Sequence, residues 1–244
     1  MRIVPIASSS KGNAYFVIEG DEAVLVDCGV PLKALKPTLD EVKLAGVVIT
    51  HNHSDHVRGL QVLLNRYDVP VFANAMAAEA TAAQENLDEG MFCCFENGQP
   101  FELGPFEVAP FSVPHDAADP VGYLFRTADM TYFHGTDIGT PLDSVGLKLA
   151  EVDVATLESN HDPVLLRSCN RPECLKQRIA GPRGHLSNDD AAYLVRRFAS
   201  PRLRKLFLAH LSGECNVPHL ALGTMREALV EMDRTDIEVE IAGS

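Results

Sequence analysis

Four side chains of the kinds that bind metal ions follow one short apolar run. Residues 47–50 read VVIT, and the next six, HNHSDH, contain His51, His53, Asp55 and His56. An uninterrupted apolar run predicts a buried strand, and polar groups just past a strand end lie on a rigid support beside a cleft. Burying this many imidazole and carboxylate groups without an ion would be costly. The stretch therefore predicts a strand that ends at a metal site.

Three later apolar runs end in the same residue types. His115 follows FSVP, Asp137 follows TYFHGT, and His210 ends KLFLAH. With the cluster at 51–56 they make five histidines and two aspartates at strand ends, which suits two ions roughly 3.5–4 Å apart. Zn²⁺, Mn²⁺ and Fe²⁺ all accept such ligands, so the residues leave the metal open.

Runs with strand character recur along the whole chain. They cover residues 2–7, 14–19, 23–27, 47–50, 70–72, 106–113, 121–127, 130–134, 152–158, 205–210 and 237–242. Helical patterns between them cover residues 56–66, 74–86, 187–200 and 218–233. No linker rich in Pro, Gly or Ser divides the chain. We therefore expect one α/β domain over residues 1–244, with two sheets and helices outside them.

Composition excludes several classes of protein. The N-terminus MRIVPIASSSKGN lacks the apolar core of a signal peptide, and no window approaches the ~18–20 apolar residues of a membrane span. The six cysteines are irregularly spaced without a C-x-x-C pair, so we expect reduced thiols in a cytoplasmic protein. Pairing or metal binding by Cys169 and Cys174 is the less favoured alternative.

One basic stretch stands out against an acidic chain. The net charge is −13, which counts against a polyanionic partner, yet residues 163–183 carry five basic side chains and one acidic one. This stretch has a charge of +4 and leaves −17 for the rest. It supplies the candidate phosphate contacts Arg167, Lys176, Arg178 and Arg183. A solvated helical face is the alternative interpretation.

Short Ser-containing turns are weaker candidates for contacts with an anion. Ser8 and Asn13 lie in the turn SSSKGN, Ser187 in GHLSN, and Ser212 two residues after His210. Backbone N–H groups and hydroxyls in such turns can bind an anion. Ordinary turn chemistry is the more common explanation for such residues.

The motif H-x-H-x-D-H after a strand resembles the signature of the metallo-β-lactamase superfamily. The later positions agree in order, and DCG at 27–29 looks like the family's early turn, with Asp27 supporting the metal loop. The resemblance implies a four-layer αβ/βα sandwich with two mixed sheets and two metal ions. It implies that His51, His53 and His115 hold one ion. Asp55, His56 and His210 would then hold the other, and Asp137 would bridge.

A narrower resemblance is to the YycJ/WalJ branch of that superfamily. It is carried by SSSKGNAYFV, HDAADPVGY, TDIG, LESNHD, GHLSN and AHLSGECNVP. The chain departs from that pattern at His134-Gly135 and at Glu214-Cys215-Asn216, neither of which touches an expected ligand. The branch implies a cytoplasmic metal-dependent hydrolase with DNA exonuclease activity.

A third resemblance is to the tRNase Z pattern. It is carried by a Glu, followed by His-Leu-Ser before a helix and then by His-Leu-Ser after a strand. Carried onto this chain, the resemblance implies that Glu158 orients His185, which either donates a proton to the leaving oxygen or stabilises a non-bridging phosphate oxygen. Asp55 joins them as the third catalytic candidate. An unconnected structural pair is the alternative for Glu158 and His185.

We therefore expect a dinuclear metal-dependent phosphodiesterase or exonuclease that acts on DNA or RNA ends. A hydrolase of a small ester, thioester or cyclic phosphodiester is the alternative. A β-lactamase is disfavoured because an exported enzyme needs a signal peptide. A di-iron sensor is disfavoured because such proteins usually work with a flavin domain, for which this chain is too short. Digestion polarity, pathway and oligomeric state are left open.

Overall fold

The computed structural model describes residues 1–243, which form a six-stranded sheet and a seven-stranded sheet with nine α-helices. The strands are β1 (Arg2–Ser9), β2 (Gly12–Glu19), β3 (Glu22–Val26), β4 (Lys43–Val48), β5 (Val71–Asn74), β6 (Phe92–Phe95), β7 (Phe101–Leu103), β8 (Phe106–Ser112), β9 (Val121–Arg126), β10 (Thr131–Gly135), β11 (Val154–Glu158), β12 (Lys205–Ala209) and β13 (Glu238–Ile241). The helices are α1 (Leu32–Leu39), α2 (Ser54–Val57), α3 (Leu60–Leu64), α4 (Ala75–Glu85), α5 (Asp143–Leu149), α6 (Pro163–Ser168), α7 (Glu173–Ile179), α8 (Asn188–Phe198) and α9 (Pro218–Glu231). A 3₁₀ turn covers Glu89–Met91. Both sheets are mixed, which confirms the predicted α/β class with two mixed sheets.

The residues group into two compact units. The first comprises residues 1–112, 117–127 and 243, and the second residues 113–116 and 128–242. The single domain expected over the whole chain stays a prediction.

The six-stranded sheet of the first unit has the strand order β1-β2-β3-β4-β5-β6. Strands β1 to β3 are antiparallel, and β3 to β6 are parallel. Phe16, Leu25, Ile49, Leu60 and Leu63 are fully buried in one apolar cluster between this sheet and its helices. Burial of each such side chain stabilises the fold by roughly 1.5–3 kcal/mol. The same unit contains the antiparallel strands β7, β8 and β9.

The second unit is built on four parallel strands in the order β10-β11-β12-β13. Gly135 pairs with Leu157, and Glu158 pairs with Ala209. Parallel strands in this register bring their carboxyl ends to one edge of the sheet. The residues that follow β10, end β11 and follow β12 therefore meet there.

The predicted helix over residues 56–66 is wrong, because the structure has two short helices, α2 and α3, with a break between them. The loop after β3 docks at the break: Cys28 N donates to His56 O at 2.7 Å, and Gly59 N donates to Cys28 O at 2.8 Å. A Cβ on Gly59 would lie 2.2 Å from the carbonyl oxygen of Val30, so only glycine fits there. This long-range backbone pairing is invisible in a local periodicity.

Other differences involve short elements. Strands β6 and β7 and helices α1, α5, α6 and α7 were not predicted, since each has three to eight residues and too few repeats of its period. No helix within residues 1–243 combines the length and apolar character that a membrane span requires.

Candidate metal centre

The four predicted ligands after β4 lie together in the first unit. The ring centroids of His51 and His53 are 4.7 Å apart, and those of His51 and His56 are 4.1 Å apart. The Nε2 atom of His56 is 3.6 Å from Oδ2 of Asp55. His51 and His56 are buried, whereas His53 and Asp55 are half-buried. Three imidazoles and a carboxylate thus converge at the start of α2.

Asp27 and Thr50 lie under this cluster and orient two of its imidazoles. The Asp27 carboxylate accepts hydrogen bonds from Thr50 N (2.8 Å), Thr50 Oγ1 (2.8 Å) and His56 Nδ1 (2.7 Å). Since the Thr50 hydroxyl donates to Asp27, it accepts from His51 Nδ1 at 3.0 Å. Both histidines then carry their proton on Nδ1, and each Nε2 presents a lone pair of the kind a metal ion takes.

Asn13 contacts two of the ligand side chains. Its Nδ2 donates to Asp55 Oδ2 at 3.1 Å and to His56 Nε2 at 3.0 Å. The sequence suggested substrate contact for this residue, which stays a prediction; in the structure its side chain contacts the cluster of predicted ligands. Ser8, from the same turn, accepts a hydrogen bond from the Tyr15 hydroxyl at 2.7 Å.

A second cluster lies at the carboxyl edge of the parallel strands in the second unit. Asp137 is 3.4 Å from His210 Nδ1 and 3.5 Å from both His115 Nε2 and His185 Nδ1. One ligand atom from each of Asp137, Glu158, His185 and His210 lies within 4.8 Å of the others. A carboxylate surrounded by imidazoles has the donor set that a divalent transition metal prefers. The residues present therefore fit a metal ion.

Glu158 is completely buried and holds His185. Its Oε1 accepts from His185 Nδ1 at 2.8 Å, and its Oε2 accepts from Ile138 N at 2.7 Å and Leu186 N at 3.1 Å. Burial opposes the charge on His185, but Glu158, and then the more distant Asp137 and Asp116, outweigh it and raise the pKa of His185 to about 9. A histidine of this pKa is a proton donor at neutral pH.

His115 is oriented by the segment that precedes His185. Its Nδ1 donates to Gly184 O at 2.8 Å, so Nε2 faces Asp137. Arg183 donates to His115 O from Nε and Nη2, at 3.1 and 3.0 Å. A Cβ on Gly184 would lie 2.2 Å from two carbonyl oxygens, so this close approach requires glycine.

Three residues of these clusters have left-handed backbone conformations. The φ angles are 59° at Asp27, 57° at Asp137 and 55° at His210. This region disfavours residues with a Cβ, least so Asp and Asn. Each residue directly follows a strand or lies within two residues of its end, so the strained turn aims a side chain off the sheet edge.

The basic stretch forms helices α6 and α7, and most of its charges have partners. Arg178 pairs with Asp116 at 2.5 Å, and Lys176 donates to the Arg167 carbonyl at 2.8 Å. Among residues 1–243, Arg167 and Arg183 make no ion pair. The stretch thus offers fewer unpaired charges than its composition suggested.

Ser187 and Ser212, suggested as anion contacts, have structural partners. Ser187 caps α8: its Oγ accepts from Asp190 N at 3.1 Å and donates to Asp190 Oδ2 at 2.7 Å. Ser212 accepts from Cys215 N at 3.1 Å. Both side chains are buried, at 6% and 7% exposure.

Sequence reasoning missed several supporting residues. Asn160 Nδ2 donates to His210 O at 2.7 Å, and Asn160 O accepts from Ser212 N at 2.8 Å. From the sequence alone, Thr50 was identified only as the last residue of a strand, and no role was assigned to Gly184. A Thr directly before a metal-type His is a usable signal, whereas the contacts of Asn160 and Gly184 depend on the fold.

The chain matches the model of the β-lactamase superfamily domain over residues 22–210. It is 34% identical over 236 residues to the exodeoxyribonuclease WalJ of Streptococcus pneumoniae serotype 2 (strain D39 / NCTC 7466), covering 93% of this chain and 88% of that protein. It is 33% identical over 232 residues to the exodeoxyribonuclease YycJ of Bacillus anthracis, with the same coverage.

Solved structures agree on the fold. The metallo-β-lactamase fold protein YhfI of Bacillus subtilis has a TM-score of 0.76 at 19% identity, covering 98% of this chain and 95% of that one. At this identity the likeness concerns the fold alone, and it confirms the fold that the motifs implied.

Proposed function

The chain belongs to the β-lactamase superfamily, in the family of the WalJ and YycJ exodeoxyribonucleases, and from this we propose that it is a dinuclear metal-dependent phosphodiesterase that shortens DNA from its ends. The observation that carries the proposal is the Glu158–His185 pair held against Asp137. A buried carboxylate that raises the pKa of a neighbouring imidazole supplies a proton donor beside a metal-type carboxylate.

The proposed metal ligands are the seven residues of the sequence prediction. One ion would be held by His51, His53 and His115, the other by Asp55, His56 and His210, with Asp137 between them. The Nδ1 hydrogen bonds of His51, His56 and His115 support this assignment, since they fix the proton of each ring on Nδ1 and leave Nε2 as the atom able to coordinate an ion. Asn13, which donates to His56 Nε2, would have to yield that atom to the ion. Bound Zn²⁺, Mn²⁺ or Fe²⁺ would polarise a phosphoryl oxygen and acidify a water molecule.

The protein's own groups then handle protons and position. His185 gives a proton to the leaving sugar oxygen, a contribution typically worth ~10²–10⁴ in rate. Glu158 fixes the ring and stabilises its charged form, while Ile138 N and Leu186 N fix Glu158. Asp55 is the third proposed catalytic residue, as a ligand held by Asn13.

DNA is the proposed substrate because the relatives named above are exodeoxyribonucleases. The proposed contact surface is formed by helices α6 and α7 and the turn that follows α7, through Arg167, Lys176, Arg178 and Arg183. Ser8, Asn13, Ser187 and Ser212 are weaker proposals, since each already has a partner within its own unit. A cytoplasmic location is proposed with this substrate.

The test uses purified protein with end-labelled single-stranded and duplex DNA and RNA, and with added Mn²⁺ or Zn²⁺. We expect stepwise shortening of DNA that a chelator abolishes. Asp55→Ala should remove activity, His185→Ala should lower the rate ~10²–10⁴-fold, and the exposed His219→Ala should leave it unchanged.

A second substrate isolates the proton donor. p-Nitrophenolate needs no proton to leave, so His185→Ala should slow hydrolysis of a p-nitrophenyl phosphodiester far less than DNA cleavage. An equal loss on both substrates would contradict the role of His185. Hydrolysis of the small diester, with no nucleic acid cut, would overturn the proposed substrate and retain the metal-dependent hydrolase.

A further inference from the structure

Cys169 and Cys215 lie in direct contact in the second unit, although 46 positions separate them. Cys169 follows the last residue of α6, and Cys215 lies in the loop after β12. The Cys215 thiol donates to Cys169 Sγ at 3.2 Å. Sequence reasoning considered Cys174 as the partner of Cys169, whereas the structure places Cys215 there.

Several independent contacts hold the two cysteine segments in register. Arg171 Nε donates to Glu214 Oε2 at 3.0 Å, so an ion pair runs beside the two sulfurs. The Cys215 backbone accepts from Asp162 N at 2.8 Å, and its N–H donates to Ser212 Oγ at 3.1 Å. The sulfur contact is therefore built into the local structure.

The two thiols have unequal exposure. Cys169 is partly exposed, whereas Cys215 is completely buried and packs against Leu166 and Ile179. A reagent in solution can therefore reach the Cys169 sulfur directly, whereas the Cys215 sulfur is accessible only to Cys169.

The surrounding charges reinforce this asymmetry. Burial opposes ionisation of Cys169, but the hydrogen bond from Cys215 and the N–H of Arg171 outweigh it. With the positive charges of Lys176 and Arg171, they lower the pKa of Cys169 below its ordinary value. Burial first, then Cys169, raises the pKa of Cys215. Nucleophilic thiolate character is thus concentrated on the accessible sulfur.

We propose that Cys169 and Cys215 form a reversible disulfide by exchange with small-molecule disulfides. The Cys169 thiolate attacks one sulfur of a disulfide RSSR, which gives a mixed disulfide and releases one thiolate RS⁻. Cys215 loses its proton to water, and its thiolate attacks the Cys169 sulfur and expels the second RS⁻. Two protein thiols are oxidised, RSSR is reduced, and the protons end on two RSH molecules.

The geometry favours this pairing over others. A disulfide bond is about 2.05 Å long, so the two sulfurs need to approach by roughly 1.2 Å. The contact joins helices α6 and α7, which have a small apolar cluster of their own, to the loop that follows β12. The bond therefore fastens the basic helices to the sheet whose edge carries His210.

The test titrates the full chain in glutathione buffers of increasing oxidised fraction, followed by alkylation and peptide mass spectrometry. We expect one linked peptide containing Cys169 and Cys215, lighter than the two reduced peptides by two hydrogen atoms. Dithiothreitol should reverse it. The matched control Cys174→Ser removes an exposed thiol five residues away and should leave the link unchanged.

A stability measurement supplies the second readout. A disulfide between cysteines 46 positions apart closes a long loop in the unfolded chain. It should therefore raise the Tm of the oxidised protein by about 5 °C or more over the Tm of the reduced protein. The gain should vanish in Cys169→Ser, which avoids the buried position, as well as in Cys215→Ser. Stable glutathione adducts on Cys169, a Cys169–Cys174 link, or no oxidised product would each overturn the proposal.

Discussion

Asp27 decides which nitrogen of two histidines faces the ligand cluster. Its carboxylate accepts from His56 Nδ1 and from Thr50, and Thr50 passes the constraint on to His51. An acceptor-only group is essential in that place, because any N–H donor would face the Nδ1 proton of His56. The residue therefore controls the imidazole tautomers of the proposed metal ligands.

The first prediction concerns Asp27→Asn. The amide keeps the size of the side chain but turns a donor toward His56 or Thr50, which favours the wrong tautomer. We expect the affinity for Zn²⁺ to fall about 10–100-fold, measured by competition with a chelating dye. The exposed Asp68→Asn is the control. Unchanged affinity in Asp27→Asn would exclude the orienting role.

The second prediction concerns the protonation of His185 in metal-free protein, because bound cations would compete with the proton. Glu158, against the effect of burial, raises the pKa of His185 to about 9. NMR titration should find that value, and Glu158→Gln should lower it. Glu231→Gln, an exposed change far along the chain, should not move it.

The same shift has a consequence for stability. Because the folded pKa exceeds the unfolded value of about 6.5, the charged pair stabilises the metal-free fold fully below pH ~6.5. This stabilisation is lost as the pH rises through about 9. Urea unfolding at several pH values should show that loss in the native chain and a weaker one in Glu158→Gln; equal profiles would contradict it.

Residue types and strand ends were enough to predict that these His and Asp side chains cluster within each unit, whereas their role as metal ligands stays a prediction. The orienting atoms were harder to predict. Asn13 and Gly184 act through contacts 42 and 69 positions away along the chain. Nothing local distinguishes them from ordinary turn residues.

At the scale of elements, the start of α8 fixes the segment that carries His185. The helix begins directly after Ser187, which exchanges two hydrogen bonds with Asp190. Asn216 links the first residue of this helix to the end of β11. Its Nδ2 donates to Asn188 Oδ1 at 2.9 Å and to Ser159 O at 2.9 Å. The segment that carries His185, the proposed proton donor, is therefore anchored by a capped helix end.

The third prediction tests this cap. Ser187→Ala should lower the free energy of unfolding by about 1 kcal/mol in urea denaturation, because a backbone N–H loses its acceptor. Ser168→Ala is the matched control, since that exposed hydroxyl only bonds back to carbonyls of its own helix and should change stability by less than about 0.5 kcal/mol. If Ser187→Ala raised the KM for DNA but left the free energy of unfolding nearly unchanged, a contact of Ser187 with the substrate would be favoured instead.

Long periodic helices were predictable and short helices were not. The pattern over residues 74–86 predicted α4, which the structure shows capped by Asn74 and Asn86. The pattern over 56–66 was misleading, because its apolar spacing continues across the break between α2 and α3. The loop that contains Cys28 hydrogen-bonds to Gly59 at this break. A tertiary contact overrides the local signal there.

Over the whole molecule, negative charge dominates, so DNA must approach against repulsion. The net charge is −13, and of the basic residues in α6 and α7, Arg178 is paired with Asp116. Binding should therefore rest on few unpaired cations and weaken steeply with salt.

The fourth prediction measures that dependence. The logarithm of kcat/KM on single-stranded DNA should fall linearly with the logarithm of salt concentration, by about 0.7 for each phosphate contact. Arg167→Gln should make the slope shallower by about that amount. Arg66→Gln, exposed on the first unit, should not. Identical slopes for the two variants would exclude α6 and α7 as the contact surface.

At Asp27, Asp137 and His210 the left-handed backbone favours glycine, whereas the proposed metal centre needs a carboxylate or an imidazole. Glycine would relax each of these positions and remove the side chain that the proposed chemistry requires. A gene copy released from selection for hydrolysis, but still selected for solubility, should therefore drift toward glycine or asparagine at 137 and 210. Natural descendants of this chain that have lost the chemistry could be recognised by those two replacements before any assay.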